Sequence, residues 1–404
     1  MRALMGTGTI VMLVGTSAAQ VAPAGGGSRA ASGALVVAPA ASCPDPKNCT
    51  SPNGSGVYTA EGGFAGIAVS ERLAGVVFRR DIMITHFINN DSLNRQGVTF
   101  RYGYFDRSTN KWVALPGTGI VKKAKYHGKA LDVLSVTEDQ TIPVWTLHDP
   151  AASVETTVPV SDQELLELQL ELEFEFAAAK NIAILAFNDT QTHSGRNAVR
   201  TYNLRWRLIG AAPGAKQYCF ADRDGKIPDS IVFQRGIEVD PMNGAIHRRN
   251  PSSSVVTISC YLGAPAQVYG WGYDYLDVKT DPYFRAGIHM KRASYCGDES
   301  YYTQPGTEIL MHDDRPIRDE LVLNPNTKIE AHWKPDGAVC MNPENVRHLS
   351  MVPIKTGLLS CTNPKRRDTC SFVCKGTPVP RCPAHASLPP SPFLVDRPKQ
   401  LNMW

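Results

Sequence analysis

Two segments of the chain carry side chains that could do chemistry. The first is "RASYCGDESYYTQPGTEI", residues 292–309, in which Cys296 stands between a tyrosine and a Gly-Asp turn. A cysteine in such a place could be a nucleophile, a metal ligand or half of a disulfide. The second is His312-Asp313-Asp314, which follows the predicted strand "TEIL". An imidazole and two carboxylates at a strand end could bind a metal or transfer protons.

A polar loop is the commoner origin of a cluster like His312-Asp313-Asp314, because loops collect such residues. Under that interpretation, alanine at both Asp313 and Asp314 leaves folding intact. The rest of the chain has no G-x-S-x-G, Walker loop, H-E-x-x-H or dinucleotide fingerprint. We therefore predict no catalytic residue, no cofactor and no metal site.

The overall charge does not indicate a nucleic-acid partner. The 404 residues include 42 basic and 38 acidic ones, a formal charge of +4, and binding to nucleic acid usually shows as a strong basic excess. The length is enough for two domains of ordinary size. Composition thus leaves a nearly neutral globular protein, which we predict not to bind nucleic acid.

The first residues, "MRALMGTGTIVMLVGTSAAQ", have the pattern of a signal peptide. Arg2 supplies a short basic region, residues 3–14 are apolar, and small side chains precede Gln20. The pattern predicts cleavage after residue 19 and export, to the exterior or to a bacterial cell envelope. No other stretch approaches the ~18 apolar residues of a transmembrane helix.

The remaining sequence predicts a mainly β, β-rich α+β protein with one or two short helices. Runs of apolar residues broken by Gly, Asn and Asp begin at residue 57 and favour strands. We expect a β-sandwich-like N-terminal region followed by a domain stapled by disulfides. The predicted divisions are a signal peptide (1–19), a flexible Ala/Gly/Pro/Ser linker (20–56), a β-rich domain (57–199), a second domain (200–348) and a Cys/Pro-rich tail (349–404).

The clearest strand is "LLELQLELEFEF", residues 165–176. Leucine and glutamate favour helices by propensity, but a helix would scatter the leucines around its surface. A strand places residues 166, 168, 170, 172, 174 and 176 on one apolar face, so the period predicts a strand with that face buried. Its glutamates form a solvated face or a cation site, and we expect them near the basic stretch 121–129.

The best helix prediction is "DPYFRAGIHMKRASYCG", residues 281–297. Asp281 can cap it, Pro282 suits the first helical position, and Gly297 can end it in the left-handed conformation. Cys296 then lies at the helix C-terminus, where the dipole raises a thiol's pKa. That position disfavours a nucleophilic Cys296.

The segment Ala293-Ser294-Tyr295-Cys296 resembles the motif of the ADYC domain, a family seen mainly in exported proteins of myxobacteria. Trp271-Gly272-Tyr273 upstream and "EAHWKPDGAVCMN", residues 330–342, agree with it in order. The resemblance covers roughly residues 200–348 and makes the second domain ADYC-like. Two features depart from the family: Ser294 replaces its Asp, and a cysteine that often precedes Trp-Gly-Tyr is absent. The resemblance implies no particular activity.

The ten cysteines of an exported chain suggest disulfides. Because Cys296 and Cys340 lie in the two most family-like segments, the resemblance makes Cys340 the expected partner of Cys296. Cys219 with Cys260 is the parallel expectation upstream, and Cys43 with Cys49 would close a local loop. The remaining cysteines form a small bridged tail or, in the alternative, a zinc site with His385: Cys361, Cys370, Cys374 and Cys382.

Two functions remain open. The first is an exported, non-catalytic envelope or extracellular protein that binds a polysaccharide or another protein. The second is a secreted hydrolase that uses His312, Asp313 or Asp314 together with a distant histidine. They are distinguished by whether these groups converge on a site where another polar group is in reach.

Overall fold

A computed structural model describes most of the chain from residue 77 to residue 398. The described ranges are 77–79, 82–90, 97–106, 111–115, 117–154, 156–176, 178–193, 196–209, 215–216, 231–239, 246–248, 255–261, 264–297, 309–315, 327–346, 359–363, 367–383 and 394–398. The predicted signal peptide and linker, and with them Cys43 and Cys49, lie outside these ranges, as does Cys219. All of the described residues belong to one compact unit, residues 40–404.

The N-terminal half of the described chain is almost entirely β-strand. Its strands are β1 (Val77–Arg79), β2 (Ile82–Asn89), β3 (Val98–Asp106), β4 (Lys111–Ala114), β5 (Gly119–Tyr126), β6 (Lys129–Asp139), β7 (Ile142–His148), β8 (Thr157–Ser161), β9 (Leu168–Phe176), β10 (Ala179–His193), β11 (Val199–Leu208), β12 (Ala215–Lys216), β13 (Ile231–Arg235), β14 (Ile237–Val239), β15 (Ile246–Arg248) and β16 (Val255–Cys260). The mainly β prediction is confirmed.

Eight of these strands close into an antiparallel barrel. The order around the ring is β3, β2, β16, β13, β11, β10, β9 and β5, and β5 pairs back to β3. The expected sandwich-like region is therefore a closed barrel, whose edges pair with each other. Strands β6, β7 and β8 extend the sheet from β5, and Trp145 of β7 packs edge-on against Phe87 of β2, 5.1 Å between ring centroids.

Closure of the barrel at β3 and β5 depends on a glycine. Gly119 lies opposite Phe100 in the register of the two strands. A Cβ atom on Gly119 would come under 3.0 Å from the Phe100 ring, which is fully buried. Only glycine leaves room for this ring. The Phe100 side chain therefore lies over Gly119, where β3 pairs with β5, and fills part of the barrel interior.

Strand β9 confirms the prediction from alternation. Leu168, Leu170, Leu172 and Phe174 are buried in the barrel core. The strand begins two residues later than the alternation does: a short 3₁₀ helix, Asp162–Glu167, precedes it and leaves Leu166 exposed. The apolar face thus runs from residue 168, and Phe176 is only partly buried.

The acidic face of β9 lies against the basic stretch, as expected. β5 is the neighbour of β9, and Lys122 approaches the carboxylates of Glu171 and Glu173 at 3.7 and 3.5 Å. All three side chains are partly exposed, so solvent screens each pair and it contributes little to stability. The glutamates are thus a solvated, ion-paired face.

The C-terminal half combines two helices with two small sheets. These elements are α1 (Ala264–Gly270), α2 (Asp281–Arg292), β17 (Ile309–Asp313), β18 (Ala331–Lys334), β19 (Gly337–Met341), β20 (Leu359–Cys361), β21 (Cys370–Cys374), β22 (Thr377–Val379) and β23 (Leu394–Pro398), with 3₁₀ helices at Pro343–Asn345 and Arg367–Thr369. They surround a second core, rich in aromatic side chains, distinct from the core inside the barrel.

One four-stranded sheet contains the last strand of the chain. Its order is β17, β23, β18, β19, so β23 lies between β17 and β18. The other sheet, β20–β21–β22, also belongs to the tail. The division of the chain into 57–199, 200–348 and 349–404 stays a prediction, although its boundary at residue 200 falls inside β11. Within the described ranges, no helix is long and apolar enough to span a membrane.

Candidate functional site

Helix α2 ends just before the motif segment. Pro282 lies in the first turn, as the sequence predicts, but the N-cap residue is Thr280 and not Asp281. The helix ends at Arg292 and not at Gly297. Ala293 takes the left-handed conformation, with φ of 53°, and its N–H and that of Ser294 donate to the carbonyls of Met290 and His289. The motif segment, residues 293–297, is therefore a turn beyond the helix.

This turn packs against the β18–β19 hairpin through two glycines. Gly297 and Gly337 both have positive φ, 63° and 118°. A Cβ on Gly337 would lie 2.6 Å from the amide nitrogen of Gly297 and 2.8 Å from the carbonyl oxygen of Tyr295. Such a close approach requires glycine, because any side chain at this position would clash with backbone atoms. The two family-like segments thus meet backbone to backbone.

Tyr295 of the motif is a core residue. Its ring stacks on Trp333, 5.3 Å between centroids, and meets Phe372 edge-on at 5.2 Å. Its hydroxyl donates a hydrogen bond to the carboxylate of Glu330, which is fully buried. A buried carboxylate needs donors to offset its desolvation. Tyr295 therefore packs in the core and also supplies a hydrogen-bond donor to the buried carboxylate of Glu330.

Trp333 of β18 makes a similar contact with a buried carboxylate. Its indole Nε1 donates to Asp396 Oδ1 at 2.8 Å, and both residues are fully buried. Asp396 belongs to β23, and its backbone carbonyl also accepts the N–H of Glu330 at 2.7 Å. The tail thus supplies the acceptor that the buried indole requires.

Cys296 is in a disulfide, but not with Cys340. It bonds to Cys374, with 5.3 Å between the Cα atoms, and Cys340 bonds to Cys382, with 4.8 Å. The expected pairing of Cys296 with Cys340 is therefore wrong. The expectation rested on the family-like segments alone, whereas the partners, Cys374 and Cys382, lie in the tail. Both bridges attach the tail to the hairpin region.

The other cysteines add two observations. Cys370 is also disulfide-bonded, and its Cα lies opposite that of Cys361 in the β20–β21 register. Bonding of Cys374 and Cys382 to residues outside the tail contradicts a zinc site built from the tail cysteines. Among the described residues, no group of three or more His, Cys, Asp or Glu could hold a metal ion. The pairing of Cys219 with Cys260 stays a prediction, since Cys219 lies outside the described residues.

The His312-Asp313-Asp314 cluster does not form a polar loop. His312 and Asp313 belong to β17, and Asp313 is buried at 2 % exposure. Tyr273 donates its hydroxyl to Asp313, and Tyr283 donates to Asp314 Oδ1 at 2.7 Å. The two tyrosine rings stack, 5.8 Å between centroids at 6°. The expectation that the two carboxylates have no buried partner is wrong, because Tyr273 and Tyr283 are both buried.

Burial also changes the titration of His332 in β18 of the same sheet. His332 is fully buried, and desolvation, with a smaller contribution from Lys334, lowers its pKa to about 4, while Asp314 acts in the opposite direction. His332 is therefore neutral near pH 7. Along the sheet, His312 and His332 lie on either side of Val395, in register with it.

A buried lysine joins the two helices. Lys291 is fully buried, donates to the side-chain oxygen of Gln267 and lies 5.2 Å from the centroid of Trp271. Trp271 opens the Trp-Gly-Tyr segment, so this segment is held to α2 by a cation–π contact. Close packing is enforced at Gly287, where a Cβ would lie 2.8 Å from Val268 of α1.

Glu138 connects the barrel sheet to the second core. It is 1 % exposed and accepts hydrogen bonds from the N–H of Thr141, the N–H of Arg235 (2.8 Å) and the hydroxyl of Tyr275 (3.1 Å). Desolvation raises the pKa of Glu138, and these three donors act against that shift. An acceptor-only carboxylate suits three converging donors.

Sequence reasoning did not find Glu138, Glu330 or Asp396. Each stands beside β-forming residues in a strand or at its end, and nothing in a short window separates a buried carboxylate from an exposed one. The signal available was the count of tyrosines and tryptophans in the ADYC-like segment, since buried Tyr and Trp usually need a hydrogen-bond partner.

These features define a class: a closed antiparallel barrel that continues into a disulfide-linked region of two helices and two small sheets. Residues 156–347 match the family model of the ADYC domain. The chain is an ADYC domain-containing protein, as the resemblance predicted. The match begins well before residue 200, so it includes the barrel strands β9, β10, β11, β13 and β16. No curated protein and no solved structure matches the chain.

Proposed function

We propose that this protein is an exported, non-catalytic module of the cell envelope or exterior, which binds a polysaccharide or another protein. The observation that carries the proposal is the use of the motif's polar groups. Three aromatic side chains each donate a hydrogen bond to a buried carboxylate: Tyr295 to Glu330, Tyr273 to Asp313 and Trp333 to Asp396. Groups that hold the core together in this way are poorly placed to act on a substrate.

Export is supported by the disulfides. Bonds such as Cys296–Cys374 and Cys340–Cys382 persist in oxidising compartments and are rare in reducing ones. Residues 1–19 have the sequence pattern of a signal peptide. Mass spectrometry of native material tests this part, with a mature N-terminus near Gln20 as the expected result. Retention of residues 1–19 in the native protein would contradict export by this signal.

The test of the binding role is a direct comparison of two assays on the mature protein. One screens cell-wall and extracellular polysaccharides and envelope protein extracts for binding, and the other is a general hydrolase panel. We expect saturable binding to a polysaccharide or a protein and no turnover. Turnover that disappears in His312→Ala or Asp314→Ala would instead support the hydrolase alternative, because these two side chains are the more exposed members of their cluster.

A further inference from the structure

The four-stranded sheet has a middle strand that comes from a much later part of the sequence than its neighbours. β17 and β18 are not paired with each other in the described chain; β23 fills the space between them. β23 pairs antiparallel with β17 at five positions and with β18 at three. It comes from the last eleven residues of the sequence, beyond the end of the family match at residue 347. The groove between β17 and β18 is thus occupied by a late segment of the chain.

The groove recognises its strand by specific contacts as well as by backbone pairing. Leu394, Val395 and Asp396 are fully buried. The Asp396 carboxylate accepts from Trp333 Nε1, and Leu394 reaches α2, where its Cδ1 would lie 3.6 Å from a Cβ on Gly287. Main-chain pairing on two edges gives affinity and the buried side chains give selectivity, which is the physics of strand addition to a sheet.

No disulfide holds this strand, because no cysteine follows Cys382 in the sequence. Cys374 and Cys382 fix the tail to Cys296 and Cys340, but β23 begins twelve residues after Cys382 (394 − 382 = 12). About twelve extended residues reach roughly 40 Å, more than the width of a small domain's sheet. β23 can therefore leave its groove while both bridges stay closed.

We propose that the groove between β17 and β18 is a strand-binding site that accepts β23 of a second copy of this chain, so that two copies are linked by exchange of residues 394–398. A second copy fits because it carries the identical strand, with the same Leu-Val-Asp sequence, on the same tether after its last bridge. Exchange of an identical element is a low-cost route to a dimer, since each contact made within one copy is remade between copies. The inference does not depend on the proposed function.

The experiment uses the full chain with a specific protease site placed in residues 384–393. The protein is folded, its disulfides are allowed to form, and it is then cut, so that β23 is held by noncovalent contacts alone. The probe is a fluorescent peptide of residues 388–404. We expect it to bind the cut protein at one per chain and to be displaced by the unlabelled peptide.

Two variant peptides test the specificity of the groove without any risk of misfolding the protein. Asp396→Ala removes the acceptor of Trp333 Nε1 and should compete about tenfold less well or worse. Asp396→Asn keeps an oxygen that can accept and should fall between the two. Equal competition by all three peptides, or no exchange after cutting, would overturn the site.

The second arm measures exchange between intact copies. At high protein concentration we expect the uncut chain to form a dimer by light scattering, and an excess of the unlabelled peptide to convert this dimer to monomers. The Asp396→Ala peptide should be a weak converter. A chain that stays monomeric at every concentration, or a dimer that the native peptide leaves unchanged, would show that β23 serves only its own chain.

Discussion

The backbone N–H of Ala338 donates a 2.9 Å hydrogen bond to the carbonyl oxygen of Tyr295. This bond joins the turn after α2 to the hairpin β18–β19, and Gly297 and Gly337 make it possible by allowing the two backbones to touch. The two most characteristic segments of the ADYC-like sequence are therefore parts of one joint.

The first prediction concerns this joint. Gly297→Ala should destabilise the protein strongly, because the added Cβ would collide with the carbonyl of Asp336 in addition to the strain of a positive φ. The matched control is Gly376→Ala, whose φ of 82° is similar but whose Cβ would meet nothing within 4 Å. The control should lose about 1–2 kcal/mol, and Gly297→Ala clearly more, as measured by denaturant unfolding. Similar losses for the two would contradict close docking.

The second prediction concerns barrel closure. Gly119→Ala should cost about 1–3 kcal/mol, since the Phe100 ring must move out of a packed core. Phe100→Leu alone should also destabilise, by creating space. The double variant should lose less than the sum of the two single losses, because the smaller side chain makes room for the methyl group. Strict additivity would mean that the ring does not cover Gly119.

The third prediction separates the two neighbouring carboxylates. Asp313→Ala should cost about 1–3 kcal/mol, because it leaves the buried hydroxyl of Tyr273 without its acceptor. Asp314 is exposed, so water can replace it as the acceptor of the Tyr283 hydroxyl, and Asp314→Ala should change the free energy of unfolding by only about 0.5 kcal/mol. Thermal and denaturant unfolding of both variants gives the comparison. Equal, small effects would restore the interpretation of the cluster as a polar loop.

The fourth prediction concerns pH. The pKa of His332 is about 4 in the folded protein and about 6.5 when unfolded. Between these values the unfolded chain binds the proton and the folded chain does not, so stability falls as pH drops from about 6.5 to about 4. We expect the wild type to lose up to about 3 kcal/mol more than His332→Phe over this range. Parallel pH profiles would show that His332 titrates normally.

The fifth prediction concerns the bridges. Peptide mapping without reduction should recover Cys296 linked to Cys374 and Cys340 linked to Cys382. Replacing either pair by alanine should lower stability by up to about 4 kcal/mol on the chain-entropy model, because the loops span 78 and 42 residues. A recovered Cys296–Cys340 peptide would reverse the assignment made from the structure.

Local patterns in the sequence were enough for the strand type of β9 and for the start of α2. The alternation in β9 and the Pro282 start of α2 are set by neighbours a few residues away, so a short window contains the information. The partner of Cys296 lies 78 residues away and the acceptor of Trp333 lies 63 residues away. Such pairings are decided by how the elements pack, and the Pro-rich composition of the tail gave no sign that it would enter a sheet.

The end of α2 shows a finer limit of the same kind. Gly297 was expected to end the helix because glycine favours the left-handed conformation. Ala293 ends the helix in that conformation, at a cost in strain that the burial of Tyr295 and the contact of Gly297 with the hairpin can offset, and Gly297 has a positive φ four residues later in the turn. Gly297 does not end the helix; its role is to let the backbone of the turn contact the backbone of the β18–β19 hairpin.

The position of β23 also sets the order of events during synthesis. Since residues 394–398 form a middle strand, β17 and β18 have no common neighbour in the described chain until these residues have been added. At roughly 5–20 residues per second, the interval between synthesis of β18 and of β23 lasts several seconds. During that time the edges of β17 and β18 that will pair with β23 have unpaired backbone groups, so a chain truncated before residue 394 could not complete the four-stranded sheet.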